Sequence, residues 1–314
     1  MRRQMLHPQT EDILKKQGYK LVGSHSGVKL CHWTKQSLKH DRGCYKQHFY
    51  GIDSHRCMQM TPTVNNCNLG CLFCWRDQTH WGEGLGQVDN PQFILEESMA
   101  AQKAHLSGYK GNPKVELEKW MEANDVKHVA ISLTGEPTMY PRLGEFIAEC
   151  HYKGLTTFLV TNGTNPTVLE RLDPLPTQLY VTVAAPNEEL YNRLCLPRSK
   201  REWRNLLRTL ELLPSLETRR VIRHTLVDGY NLGWEEKYAR LDEATEAEFI
   251  ECKGYVWIGQ SRDRLNMGNM PSHRKIRRFA TALAEASGYD FGDEVKGSRV
   301  VLLTRPGANP RLQN

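Results

Sequence analysis

Three thiols fall within eight residues in Cys67-Asn68-Leu69-Gly70-Cys71-Leu72-Phe73-Cys74. A Cys-x3-Cys-x2-Cys loop can bring all three thiolates to one soft metal centre, and Asn68 and Gly70 suit the tight backbone it needs. Three ligands leave one iron of a cubane cluster open. A closed zinc knuckle would need a fourth Cys or His, for which Cys57 and His80 are the nearest candidates. Upstream, Cys31, Cys44 and Cys57 form a second, evenly spaced series. These thiols suggest a second cluster, again with an open iron; the alternative is that they are small buried hydrophobes. Their polar settings, Lys29-Leu30-Cys31-His32-Trp33-Thr34-Lys35 and Gly43-Cys44-Tyr45-Lys46-Gln47, argue against a plain core. Lys46 is by default a solvated charge. Beside a cluster, however, its ammonium is desolvated and its pKa lowered, as an imine-forming lysine requires. Cys150, Cys195 and Cys252 read as core residues.

Elements of two kinds must carry these residues. From roughly residue 90 the pattern alternates helix and strand, as a parallel sheet of βαβ units does. Buried strands are expected near Met58–Val64 and at Val126–Leu133, Thr156–Thr161, Gln178–Val183 and Arg220–Val227. A last one is expected at Glu248–Glu251 with Val256-Trp257-Ile258. Helices are expected at Glu96–Leu106, Lys114–Ala123, Arg142–His151, Lys200–Leu213, Trp234–Thr245 and Arg274–Ala286. That makes about six strands, fewer than the eight of a closed barrel. In such folds chemistry sits where strands end, which singles out Thr134-Gly135-Glu136-Pro137 and Thr161-Asn162-Gly163-Thr164. Both are also ordinary turn sequences. With no repeat or clear linker, the chain reads as one domain, residues 58–314, behind an N-terminal extension, residues 1–57, holding the second cysteine series.

Composition bounds the rest. A hydrophobic fraction of 39% and a mean hydropathy of −0.59 describe a soluble protein. No apolar run is long enough to span a bilayer, and Met1-Arg2-Arg3-Gln4-Met5 lacks the apolar stretch of a signal peptide. A cytoplasmic location is expected, where nine cysteines argue for metal ligation over disulfides. A net charge of +6 permits a polyanionic partner without requiring one. Two basic stretches are candidates to track phosphates: Arg193 through Arg198, Lys200 and Arg201 to Arg204, and His273-Arg274-Lys275-Ile276-Arg277-Arg278. Lys253, Arg262 and Arg264 follow the last expected strand, and Trp75 is placed to stack on an unstacked base or to serve the core.

With Phe73 before its last cysteine, the loop resembles the signature of radical S-adenosylmethionine enzymes. In that family the open iron binds the amino and carboxylate groups of S-adenosylmethionine, and an electron from the cluster cleaves the sulfonium to a 5′-deoxyadenosyl radical. Further segments narrow the resemblance. Val22-Gly23-Ser24-His25-Ser26, Cys44-Tyr45-Lys46-Gln47-His48-Phe49-Tyr50, Ser54-His55-Arg56-Cys57, Glu251-Cys252-Lys253-Gly254-Tyr255 and Ser261-Arg262-Asp263-Arg264-Leu265 resemble the archaeal tRNA 4-demethylwyosine synthases, across nearly the whole chain.

The resemblance implies an α/β fold, a partial (β/α)6 radical SAM barrel with an N-terminal cysteine-containing extension. It implies two [4Fe-4S] clusters, one on Cys67, Cys71 and Cys74 and one on Cys31, Cys44 and Cys57. S-adenosylmethionine would meet Gly135 and Glu136, although Thr134 stands where the family element has Gly, with Thr161 and Asn162 beside the ribose. The implied activity is that of a radical SAM lyase or synthase. It condenses N1-methylguanosine at position 37 of phenylalanine tRNA with two carbons of pyruvate to give 4-demethylwyosine. Lys46 would hold pyruvate as a Schiff base; alternatively pyruvate would chelate the second cluster, with Lys46 pairing its carboxylate. Electrons would come from a separate flavodoxin- or ferredoxin-type donor, since only about 30 residues precede Cys31, too few for a flavodoxin module. Two other readings remain open at this point: a radical enzyme of another kind, such as a glycyl-radical activase, and a non-catalytic zinc protein that binds RNA.

Overall fold

The computed structural model describes residues 6–40, 42–64, 66–78 and 84–312. The chain divides into two units. The first gathers the chain up to Cys67 with Asp77–Val160 and Leu172–Thr177; the second takes Asn68–Arg76, Thr161–Arg171 and the chain from Gln178 onward. His80, the second candidate for a zinc knuckle, and the opening Met1–Met5 lie outside the described residues.

The first unit contains α1 (Pro8–Lys16), β1 (Tyr19–Val22), β2 (Ser26–Lys29), α2 (His32–His40), α3 (Tyr45–Tyr50), β3 (Cys57–Thr61), α4 (Pro91–Leu106), α5 (Leu117–Ala123), β4 (His128–Ile131) and α6 (Leu143–Tyr152). It ends on β5 (Thr156–Thr161), whose last residue belongs to the second unit. Its strands lie in the order β1-β2-β3-β4-β5, antiparallel through β2 and β3 and parallel from β3 to β5. Parallel strands need long crossovers, and helices α4, α5 and α6 supply them. Helix α4 starts where Asn90 accepts a hydrogen bond from the Gln92 amide and Pro91 supplies a preset φ. It buries Ile94, Leu95, Ser98, Gln102 and Leu106, a single face.

The second unit contains α7 (Pro166–Glu170), β6 (Gln178–Thr182), α8 (Glu188–Cys195), α9 (Glu202–Leu212), β7 (Arg219–Leu226), α10 (Glu235–Glu243), β8 (Phe249–Gly254), α11 (His273–Ser287), β9 (Asp290–Val295) and β10 (Val300–Thr304). Strands β6, β7 and β8 are parallel neighbours, and β10 then β9 follow antiparallel. Gln178 to Val181 are all buried, the unbroken run of a parallel strand covered on both faces. Helix α11 is capped by the Ser272 side chain and ended by Gly288 at φ +71. Ile276, Phe279, Ala280, Leu283 and Ala284 form its buried stripe.

Three parallel strands in each unit make the six of a partial (β/α)6 barrel, and the sheet is not closed. Four antiparallel strands, β1, β2, β9 and β10, add to the six expected from the sequence. One expectation is corrected: Val256-Trp257-Ile258 is not strand. There the Ile258 amide donates to Val256 O and the Trp257 indole N–H donates to Leu265 O; Trp257 packs on the cluster around Tyr255 and Leu265, whereas Val256 and Ile258 are exposed. No helix among the described residues is long and apolar enough to cross a membrane.

Candidate functional site

In the first unit, Cys44 stands at the N-cap position of α3 and Lys46 lies in its first turn. The helix runs only to Tyr50 because Gly51, at φ +80, takes the left-handed position and donates back to Gln47 O. Ser54 fixes this corner. Its hydroxyl accepts from the Cys44 amide at 2.8 Å and donates to Cys44 Sγ at 3.2 Å, its amide donates to Gln47 Oε1 at 3.1 Å, and its carbonyl accepts from Thr34 on α2 at 3.0 Å. The segment thereby brings Cys31, just before α2, Cys44, before α3, and Cys57, at the start of β3, into one electrostatic neighbourhood with Lys46. Burial pushes the Cys31 and Cys57 thiols up, the Cys44 thiol adds to it, and the Lys46 charge opposes it. Lys46 itself is only 8% exposed, and its Nζ sits 4.5 Å from the ring centroid of Phe158 on β5.

Gly135 and Glu136 also lie in the first unit, beyond the end of β4. Gly135 has φ +72, and a Cβ there would stand 1.9 Å from Thr63 O, so only glycine passes. The Glu136 amide donates to Asn66 O at 2.7 Å. Its carboxylate is buried and accepts from the Thr138 amide at 3.1 Å and hydroxyl at 2.7 Å. The turn is thus fixed by its backbone, with Glu136 held from one side.

In the second unit, the stretch Asn68–Arg76 is tied down along its length. Asn68 Nδ2 donates to Thr164 Oγ1 at 2.6 Å and Asn68 Oδ1 accepts from Asn162 Nδ2 at 2.8 Å. Asn162 Oδ1 in turn accepts from the Thr164 amide and hydroxyl, and Thr161 Oγ1 accepts from the Gly163 amide. The amides of Gly70 and Leu72 donate to the carbonyls of Leu194, Cys195 and Leu196, the open C-terminal end of α8. Arg264 donates to Leu72 O and to Cys74 O. The Cys71 thiol is pushed up by a hydrogen bond with Cys195 and by burial; Cys74 is pushed up by burial and by Cys71, with Arg76 and Arg264 opposing.

The cysteines sort into two groups. Cys31, Cys44, Cys57, Cys67, Cys71 and Cys74 are all partly exposed, whereas Cys150, Cys195 and Cys252 are buried. The six singled out as ligands are thus the partly exposed ones, and a donor set of thiols fits clusters.

Sequence reasoning missed Ser54 and Asn68 as positioning groups, and no spacing rule marks either. Of the basic residues expected after the last strand, Lys253 lies within β8 and donates to Ser298 O, Arg262 lies over Trp257, and Arg264 donates to the cysteine loop. Trp75 has one ring face covered by the Arg76 guanidinium, 3.1 Å from the centroid.

Residues 61–241 match the family model of the radical SAM superfamily, and residues 244–305 match that of wyosine base formation. The chain is 51% identical over 306 residues to the S-adenosyl-L-methionine-dependent tRNA 4-demethylwyosine synthase of Pyrococcus abyssi, covering 96% of this chain and 90% of that one. It is 39% identical to that of Methanocaldococcus jannaschii, covering 98% and 100%. Among solved structures, TYW1 with a lysine–pyruvate adduct bound superposes with a TM-score of 0.90 at 38% identity, covering 98% of this chain and 100% of that one.

Proposed function

The chain belongs to the S-adenosyl-L-methionine-dependent tRNA 4-demethylwyosine synthases of the radical SAM superfamily, and from that premise we propose that it condenses N1-methylguanosine-37 of phenylalanine tRNA with two carbons of pyruvate, using Lys46 to hold the pyruvate. It is a radical SAM enzyme of wyosine synthesis that uses S-adenosylmethionine and a [4Fe-4S] cluster.

Cys67, Cys71 and Cys74 hold the radical cluster, Gly135, Glu136, Thr161 and Asn162 contact S-adenosylmethionine, and Cys31, Cys44 and Cys57 hold a second cluster. A reduced cluster held there would supply one electron to break the S–C5′ bond of S-adenosylmethionine, which would give methionine and a 5′-deoxyadenosyl radical. The buried Glu136 carboxylate receives the methionine amine, and the Gly135 turn brings backbone close to it. The Lys46 amine attacks the C2 carbonyl of pyruvate and water leaves, fixing the three-carbon unit by a covalent bond beside the second cysteine series. The Phe158 ring, 4.5 Å from Nζ, covers one side of the amine. Electrons come from a separate donor of the flavodoxin or ferredoxin type.

The observation that carries this reading is a lysine 8% exposed among three partly exposed thiols. A solved relative with a lysine–pyruvate adduct supports it. Borohydride trapping with labelled pyruvate, followed by peptide mass spectrometry, tests it. The wild type gains one label on the peptide containing Lys46, and Lys46→Arg, which keeps charge without the nucleophile, gains none. Product formation falls at least about 10²-fold in Lys46→Ala. An unlabelled wild type would place pyruvate on the open iron of the second cluster instead.

A further inference from the structure

Apart from the Cys74 amide, which donates to Cys71 O, the hydrogen bonds that shape the cysteine loop come from outside it. Its amides at Gly70 and Leu72 are spent on the end of α8. The carbonyls that remain, those of Leu72, Cys74 and Trp75, face one segment of the second unit, residues 259–264. Arg264 Nε donates to Leu72 O at 3.3 Å and its terminal nitrogen donates to Cys74 O. The Gln260 amide donates to Trp75 O at 3.2 Å. Gly259, at φ +58, lies so close that a Cβ would stand 2.3 Å from Trp75 O. Leu72 and Phe73 pack against Tyr255, Leu265 and their neighbours, which closes the same contact with apolar surface.

The geometry points to Arg264 as a positioning residue of the radical cluster: its guanidinium bridges two carbonyls of the loop, on either side of Phe73, and sets a fixed positive charge beside Cys71 and Cys74. This rests on the reading that Cys67, Cys71 and Cys74 hold that cluster. A planar fork suits two carbonyls two residues apart, and a lysine ammonium does not span them in the same way. The loop belongs to the stretch common to radical SAM enzymes, whereas Arg264 belongs to the stretch that matches wyosine base formation. The part of the chain particular to this reaction therefore shapes the loop that serves the general chemistry.

The test compares wild type, Arg264→Lys and Arg264→Gln. Hydrogen exchange is followed at residues 68–76 in the metal-free proteins. The reduction potential is measured anaerobically for the cluster whose electron paramagnetic resonance signal responds to S-adenosylmethionine. In Arg264→Gln, amides at 68–76 exchange at least about tenfold faster, as loss of charge-assisted hydrogen bonds requires. Its potential moves negative, because a lost positive charge disfavours the added electron. Arg264→Lys keeps the wild-type potential while its loop exchanges faster. A purely structural arginine would leave the potential in place, and that result overturns the inference, as does wild-type exchange in Arg264→Gln. If the wild type itself gives no signal that responds to S-adenosylmethionine, the ligand reading fails and the inference falls with it.

Discussion

At Cys44 one hydroxyl does two jobs: Ser54 Oγ accepts from the amide and donates to the sulfur. Ser54 thereby fixes both the backbone and the sulfur of Cys44. Asn68 plays the matching part in the other loop, bonded to Asn162 and Thr164. The six cysteines proposed as ligands were singled out because spacing and polar context mark them. Ser54 and Asn68 were not, since their value lies in partners found only on folding, 94 residues away in the case of Asn68 and Asn162. The two triplets predict independent clusters. Anaerobic iron analysis should give about eight irons in the wild type. Cys67→Ala/Cys71→Ala/Cys74→Ala and Cys31→Ala/Cys44→Ala/Cys57→Ala should each retain about four. A wild type that never exceeds about four contradicts the second cluster.

Helix α11 shows how one element sorts its charges. Lys275 pairs with Asp228, and His273 and Arg277 lie against Glu294, whereas Arg274 and Arg278, one turn apart and exposed, have no acidic partner among the described residues. Of the basic run, these two are the ones left to meet phosphate. Arg274→Ala/Arg278→Ala should raise KM for tRNA and flatten its salt dependence by roughly 0.7–0.9 in log–log slope per lost contact. Cleavage of S-adenosylmethionine without tRNA should not change. An unaltered salt slope would remove α11 from the interface.

Between β7 and α10 lies a buried pair. His224 Nδ1 donates to Val183 O at 2.9 Å, and Nε2 meets Asp242 Oδ2 at 2.9 Å. Burial disfavours the imidazolium, but the Asp242 charge and hydrogen bond outweigh it and raise His224; burial raises Asp242 as well, with His224 opposing. The raised His224 means that the folded imidazole holds a proton that the unfolded one gives up above about pH 6.5. The stability it contributes is complete below that pH and is lost as pH rises through the folded value. The Tm deficit of His224→Gln should therefore be largest near about pH 6 and shrink toward about pH 9. A deficit independent of pH would show that no proton is held there. Elements themselves were read best where burial is two-sided: β5 runs from Thr156 to Thr161, as its apolar run predicts. The edge strand β9 escaped notice because Asp290 to Asp293 are exposed and carry no alternation. Val256 to Ile258 misled because an apolar run need not be buried: Trp257 packs on a loop core, but Val256 and Ile258 are exposed.

For the molecule as a whole, the six parallel strands and the two family matches converge on one kind of chemistry, and a net charge of +6 suits a polyanionic substrate. Function was legible in the cysteines and their neighbours far more than in the architecture, since many unrelated activities share such a sheet. The most direct test is to incubate the reduced enzyme anaerobically with phenylalanine tRNA bearing N1-methylguanosine-37, S-adenosylmethionine and pyruvate labelled at C2 and C3, then digest the tRNA and analyse its nucleosides by mass spectrometry. The proposed reaction predicts 4-demethylwyosine carrying both labelled carbons, absent when pyruvate is left out. Cleavage of S-adenosylmethionine with the methylguanosine returned unchanged, in an enzyme carrying its iron, would contradict it.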